Sequence, residues 1–354
     1  MKDLPVEIVK QICRNLTYDN AGKAGPTSLA ALCLTSRWLY KIAQPYLYYQ
    51  ISLESIKIHN LAYLTRTALA HKDLAELTLQ IKIGNVHDDM RTINEEDGGS
   101  LLARGAQSAG FILPKNWYNP VDPDSEQSYI IESRVEILIQ LLLINLTRVK
   151  RLELAVSSAE EWTVLESARS DVKLPELKHV VLKGRDDDFD LGNVFGLLER
   201  AGNIETLSLT KCDAFSRNMS LESLTHLSVR NCRLPFVYMD RLVSFCGGLS
   251  HFLYIPVMVP GRGGFDAVSP NEVVGLLEYH GHHRTLRSLF LEYVLDPDDD
   301  LVESFMAFSK LRSVMLRYGR LMHDGDEAKS ILNYMTWTLP ATIEEFCVLY
   351  KVLF

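Results

Sequence analysis

Three histidines crowd the string YHGHH, at His280, His282 and His283. Imidazoles this close can supply metal ligands. No cysteine stands at a ligand spacing beside them, and Glu278 is the nearest acid. A solvated helix end explains the same residues, because the helix dipole favours cations there. Two acidic triplets, Asp186–Asp188 and Asp298–Asp300, carry the oxygens that hold Ca²⁺. Their spacing gives no ligand pattern, and both precede helix-like strings, so N-caps are the expectation. The string PGRGG (residues 260–264) has glycines that can cradle phosphate. It lacks the strand before, the helix after and the following Lys of a phosphate loop. Six cysteines (13, 33, 212, 232, 246 and 347) are scattered with no C-x-x-C pair, and read as reduced, mostly buried thiols. No Ser/His/Asp or Cys/His arrangement has a local motif. The expectation is therefore no catalytic residue, no metal and no cofactor. A metal-dependent enzyme built on YHGHH is the reading these spacings support least.

The elements that position these residues come from one recurring phrase. IETLSLTKC places Ile204, Leu207, Leu209 and Cys212 at spacings of three, two and three. LTHLSVRNC repeats it with Leu224, Leu227, Val229 and Cys232. VKRLELAV, LKHVVLKG, LRSLFLEY and LRSVMLRY keep the apolar triplet without the cysteine, and LAELTLQ, LSHFLYI and IEEFCVL are looser copies. From Val149 onward the phrases begin at 149, 177, 204, 224, 249, 286, 311 and 343. Most intervals fall in or near a period of about 20–29 residues. Helical returns are expected at Asp190–Ala201, Phe236–Phe245, Asn271–His280, Asp299–Phe308 and Asp326–Thr338. Cys212 and Cys232 recur at one position of the phrase and are expected to be structural rather than reactive.

The phrase resembles the leucine-rich repeat. That resemblance implies an α/β solenoid with parallel strands on its concave face, spanning residues 51–354. Residues 84–128 interrupt it with HDD, NEED and GGS runs and three prolines, and are expected to form a long loop. Within that stretch FILPKNWYNP is too aromatic for a pure linker and is expected to fold back on the solenoid, the alternative being a binding lip. The apolar run Ile137–Ile144 is too short to cross a bilayer and is read as a buried helix from Ser128 to Leu146.

Composition bounds the partners. Hydrophobic residues make up 47% and charged residues 23% of 354, with a formal charge of -8. That balance is ordinary for a globular protein. It argues against a nucleic-acid or anionic-membrane binder. MKDLPVEIV lacks the apolar core of a signal peptide, so reduced thiols and a cytoplasmic or nuclear location are expected.

At the start of the chain, LPVEIVKQICRNL carries Leu4, Ile8, Ile12 and Leu16 at spacings of four, with Val9 and Cys13 beside them. That is an amphipathic helix with Pro5 in its first turn. TYDNAGKAGP follows as a loop. A second helix is expected from Thr27 or Ser28 until Pro45 ends it, because the residue before proline avoids helical angles. YLYYQISL then alternates as a strand.

Residues 1–50 resemble the F-box, a family of three-helix domains. Leu4, Pro5, Glu7, Ile8, Ile12 and Leu16 match its opening. Leu29, Leu32, Ser36, Arg37 and Trp38 match its second part, and Ile42, Ala43, Pro45, Leu47 and Tyr48 match the ending common in fungal members. The loop from Thr17 to Ser28 is longer than is usual in the family. The resemblance implies that Leu4, Pro5, Ile8, Ile12, Leu16, Leu29, Leu32 and Trp38 dock on a Skp-type adaptor and through it on a cullin. The solenoid would then hold a protein substrate for ubiquitination. The alternative is a non-catalytic repeat scaffold whose helical cap recruits no ligase, since solenoids need capped ends.

Residues between the inward positions project from the strands. They include Arg151, Glu153, His179, Val181, Thr206, Ser208, His226, Ser228, His251, Leu253, Ser288, Phe290, Ser313 and Met315, followed by Lys183, Arg230, Glu292 and Arg317. Adjacent strands lie about 4.8 Å apart, so His226 and His251 should be neighbours. His179, Lys183, His226, Arg230, His251, Phe290 and Arg317 form the expected substrate surface. Its mildly basic character suits an acidic or phosphorylated segment.

Overall fold

The computed structural model describes residues 4–17, 24–87, 99–111, 113, 128–157, 165–166, 169, 172–185, 188–257, 268–293, 302, 304–318 and 338–350. The chain divides into two compact units. The first comprises Met1–Leu154 and Trp162–Leu177, the second Ala155–Glu161 and Lys178–Phe354.

The first unit opens with helices α1 (Val6–Thr17), α2 (Ala24–Thr35) and α3 (Arg37–Tyr49). Pro5 precedes α1 and its carbonyl accepts from Ile8 N and Val9 N. Ser36 breaks the expected single second helix into α2 and α3. Its backbone is extended and its hydroxyl accepts from Leu39 N, capping α3. Pro45 does not end α3 but sits inside it. The carbonyl it leaves without a donor belongs to Lys41, which is exposed, so water can take the bond. The strand expected at YLYYQISL accordingly starts later, at Gln50.

Strands β1 (Gln50–Lys57), β2 (Gln80–His87) and β3 (Arg151–Val156) follow, and β1, β2 and β3 pair in parallel in that order. Between β1 and β2 lie α4 (Ile58–Ala70) and the short α5 (Lys72–Ala75). Between β2 and β3 lie α6 (Gly99–Ser108) and α7 (Ser128–Asn145). The loose copy LAELTLQ is out of register with the strand. The inward residues of β2 are Ile81, Ile83 and Val86, preceded by Thr78, which is fully buried. The interruption at 84–128 is not all loop. Gly84 belongs to β2, and α6 buries Leu102 and Ala106. Most of FILPKNWYNP lies outside the described residues. Helix α7 is buried as expected from Ile137 to Leu143. Its polar Gln140 is satisfied by Leu165 N at 2.9 Å. Thr65 of α4 bonds the Leu138 carbonyl at 3.3 Å.

The second unit is built on parallel strands β4 (His179–Gly184), β6 (Thr206–Thr210), β8 (His226–Cys232), β9 (His251–Pro256), β10 (Ser288–Tyr293), β11 (Ser313–Tyr318) and β12 (Glu345–Tyr350), paired in that order. Short strands β5 (Phe189–Asp190) and β7 (Cys212–Ala214) pair separately. The expected α/β class with parallel strands is what the chain adopts. Period-two alternation sends Val180/Leu182, Leu207/Leu209, Leu227/Val229, Phe252/Tyr254, Leu289/Leu291 and Val314/Leu316 into the core, each at most 2% exposed. Each such side chain contributes about 1.5–3 kcal/mol of apolar burial. Register is fixed by a recurring bifurcated bond. The Lys178 carbonyl takes Glu205 N and Thr206 N, and the Glu205 carbonyl takes Thr225 N and His226 N. The same pattern continues through Thr225, Ser250, Arg287 and Arg312.

Helical returns appear at a 3₁₀ turn (Leu191–Val194) with α8 (Phe195–Ala201), at α9 (Phe236–Ser244) and at α10 (Pro270–Tyr279). The return expected at Asp299–Phe308 shows only turns among its described residues, and almost all of Asp326–Thr338 lies outside them. Lys211 and Asn231 have φ of 58° and 50°. These left-handed residues each precede a repeat cysteine and turn the chain so that Cys212 and Cys232 point inward. Among the described residues, no helix is long and apolar enough to cross a membrane.

Candidate functional site

Helix α1 carries apolar residues on two faces. Val9 and Cys13 are 4% and 0% exposed and pack with Leu29, Leu39 and Ala43. Leu16, Leu32 and Trp38 are half-buried against the same cluster. Leu4, Ile8 and Ile12, one stripe at a spacing of four, are 39%, 48% and 43% exposed. Pro5 is exposed beside them. Of the eight residues expected to dock a partner, these four face outward. Leu29 is a correction: at 1% exposed it holds the bundle together and is no contact residue. Leu34 at 88% and Tyr40 at 44% are exposed apolar residues that the sequence reading passed over. The signal for Leu34 was present, since Leu32, Cys33 and Leu34 are consecutive and one helix face cannot bury all three.

The outward residues of the second unit form rows across its strands. His226 and His251 are register partners, and their rings stack at 4.1 Å between centroids and 6° between planes. Thr225 Oγ1 donates to the Glu205 carbonyl, and Ser250 Oγ donates to the Thr225 carbonyl. Each hydroxyl therefore accepts from its neighbouring imidazole, at 2.8 Å to His226 Nδ1 and 2.8 Å to His251 Nδ1. That assigns the proton to Nδ1 and leaves Nε2 as an exposed acceptor. Partial burial pushes both imidazoles below their usual range. Neighbouring His179 adds to this for His226, and His226 and Arg287 add to it for His251. Both rings are neutral at pH 7 and supply hydrogen-bond acceptors, not positive charge. His179 bonds Thr206 Oγ1 at 3.1 Å.

The cations are spread. Lys183 is on β4, Arg230 on β8 and Arg317 on β11, so no single pocket gathers them. Arg230 donates to Ser228 Oγ at 3.0 Å. Arg317 lies 3.6 Å from Glu292. Glu292, expected on the surface, is a correction, being only 4% exposed. The next row changes character along the sheet: Val181, Ser208 and Ser228 give way to Leu253, Phe290, Met315 and Cys347.

The groups that suggested chemistry are structural. His282 is buried, not solvated: its Nδ1 accepts from Leu249 N at 3.2 Å and its Nε2 donates to the Val243 carbonyl at 3.1 Å. His280 pairs with Asp240 at 2.8 Å. Among the described residues, no group of three potential metal ligands comes together. Cys232 accepts from Cys212 N at 3.3 Å. Burial pushes the thiols of Cys232 and Cys246 up to about 12, and that of Cys212 well above its ordinary value, so none is a nucleophile. The cap expected from Asp186–Asp188 is made by Asp190, which accepts from Gly192 N at 2.7 Å. Asp188 pairs instead with Arg233. PGRGG and Asp298–Asp300 lie outside the described residues.

No protein-family model matches the chain, and no curated protein matches it.

Proposed function

We propose that this chain is the substrate-recognition subunit of a Skp–cullin–F-box ubiquitin ligase. One observation carries the reading: α1 buries Val9 and Cys13 beneath a separate stripe of Leu4, Ile8 and Ile12 that its own bundle leaves exposed. A partner helix or groove covering that stripe removes apolar surface from water, which is how amphipathic helices dock. The resemblance of residues 1–50 to the F-box names the partner as a Skp-type adaptor. The phrase L-x-x-L-x-L-x-x-C, with its triplets buried on consecutive parallel strands, supports a leucine-rich-repeat identity for the remainder. The substrate face is the strand surface carrying His179, Lys183, His226, Arg230, His251, Phe290 and Arg317. Its neutral imidazole acceptors suit a segment that donates hydrogen bonds more than they suit a phosphate. The receptor makes and breaks no bond. It brings substrate and ubiquitin carrier together, so that transfer becomes effectively intramolecular.

Co-purification with a Skp-type adaptor tests this. The wild-type chain should retain adaptor. Ile8→Asp with Ile12→Asp should cut retention at least a hundredfold while the far-ultraviolet dichroism and melting temperature stay unchanged. A wild-type chain that retains no adaptor sinks the ligase reading and leaves the repeat scaffold.

A further inference from the structure

The first unit contains a cleft of about 460 Å³, within the size range of small-ligand sites. Its floor is the outward face of β1, β2 and β3. One row is Gln50, Gln80 and Arg151, and the next is Ser52, Lys82 and Glu153, each in register. Its wall comes from the helical bundle through Pro26, Tyr46 and Leu47.

The charges in the cleft divide cleanly. Lys82 Nζ lies 2.5 Å from Glu54 and 3.2 Å from Glu153, and hydrogen bonding to Glu54 chiefly holds its pKa up. Lys82 is thus committed to these two carboxylates. Among the described residues, the Arg151 guanidinium and the Gln50 and Gln80 amides have no hydrogen-bond or ion-pair partner. They stand side by side over two strand spacings, about 10 Å. A guanidinium offers two parallel N–H donors to a carboxylate, and neighbouring amides add further donors.

We propose that this cleft binds a monocarboxylate with an apolar body. The carboxylate sits on Arg151 beside the Gln80 amide, with the Gln50 amide one strand further along, and the body lies against Pro26, Tyr46 and Leu47. The carboxylates held by Lys82 set the charge of the ligand. Glu54 and Glu153 against Lys82 leave one net negative charge there, which repels a second acidic group. An ammonium ligand would have to displace Lys82 from carboxylates it already holds. The same chemistry is offered by a free aliphatic acid and by the last residue of a polypeptide ending in an apolar side chain. The site is independent of adaptor docking, since none of these residues belongs to the exposed α1 stripe.

Calorimetric titration of the full chain tests the proposal with two probes: octanoate, and a five-residue peptide ending in leucine. The peptide is used with a free and with an amidated C-terminus. Binding of octanoate alone assigns the site to free acids, and binding of the free-ended peptide assigns it to chain termini. In either case Arg151→Gln should weaken binding at least tenfold, and for the peptide so should amidation. Arg151 is exposed, so the melting temperature of the variant should equal that of the wild type. No binding of either probe at millimolar concentration, or binding that ignores Arg151→Gln, overturns the proposal.

Discussion

Helix α1 and strand β6 are written with the same alphabet and spend it differently. In β6 the apolar positions Leu207 and Leu209 point one way, and both are fully buried. In α1 the apolar positions divide between Val9 and Cys13, which are buried, and Ile8 and Ile12, which, with Leu4 just before the helix, are not. A strand in a parallel array has one inward face, and neighbours above and below complete it. A three-helix bundle has too little interior to cover so wide an apolar arc. The contrast separates two reasons for an apolar residue, cohesion of the chain itself and readiness for a partner.

The largest test of that contrast is Leu207→Ala. Leu207 is fully buried and its strand is paired on both sides, so the surroundings cannot collapse into the space. The cost should be about 3 kcal/mol, read from the urea midpoint of the full chain. A loss below about 1 kcal/mol would show that the ladder is not the cohesive part of the second unit.

A polar residue inside that unit sharpens the point. His282→Leu should cost about 2 kcal/mol, because the Leu249 N–H is left buried with no acceptor. The pH dependence carries a second signature. Desolvation lowers the pKa of His282, as it does for His226 and His251. The unfolded chain, with histidine near about 6.5, therefore binds more protons below that pH than the folded chain does. Stability should fall as pH drops through this region. For His282 the added proton would sit on Nδ1, facing the Leu249 N–H. His282→Leu should flatten the decline between pH 7 and 5. A decline of unchanged steepness would show that His282 takes up its proton over the same pH range in the folded and unfolded chain.

Much of this was legible in the sequence, and the failures have particular causes. The triplets of β3, β4, β6, β8, β9, β10 and β11 could be read because all three apolar residues of each are buried, whereas that of β12 is only half-buried. The adjacency of His226 and His251 followed from the same register. The register of β2 escaped because Thr78 stands where the phrase usually has leucine, while Leu74, Leu77 and Leu79 imitate a triplet just before the strand. With β2 out of register, and the strand after the helices begun too early at YLYYQISL, the row Gln50, Gln80 and Arg151 is not apparent from the sequence. His282 was misread because adjacent histidines look solvated. Its two partners, Leu249 and Val243, lie 33 and 39 residues away. Leu29 was assigned to docking by its place in a motif, and no motif states which side of a helix faces the core.

The smallest expected effect is the most discriminating. Ile12→Ala removes a side chain of the same apolar class as Leu207, yet from a residue that is 43% exposed. Little transfer energy is lost and no cavity forms. Alanine also has the higher helix propensity, by up to about 0.5 kcal/mol, so the two terms nearly cancel. The urea midpoint should move by less than about 0.5 kcal/mol in either direction. If the proposed adaptor covers the stripe, the same substitution should weaken retention severalfold, since Ile12 would be buried in that complex. A stability loss comparable to that of Leu207→Ala would mean that some part of this chain already covers the α1 stripe. The stripe would then belong to the fold, and the contrast between the two regions would vanish.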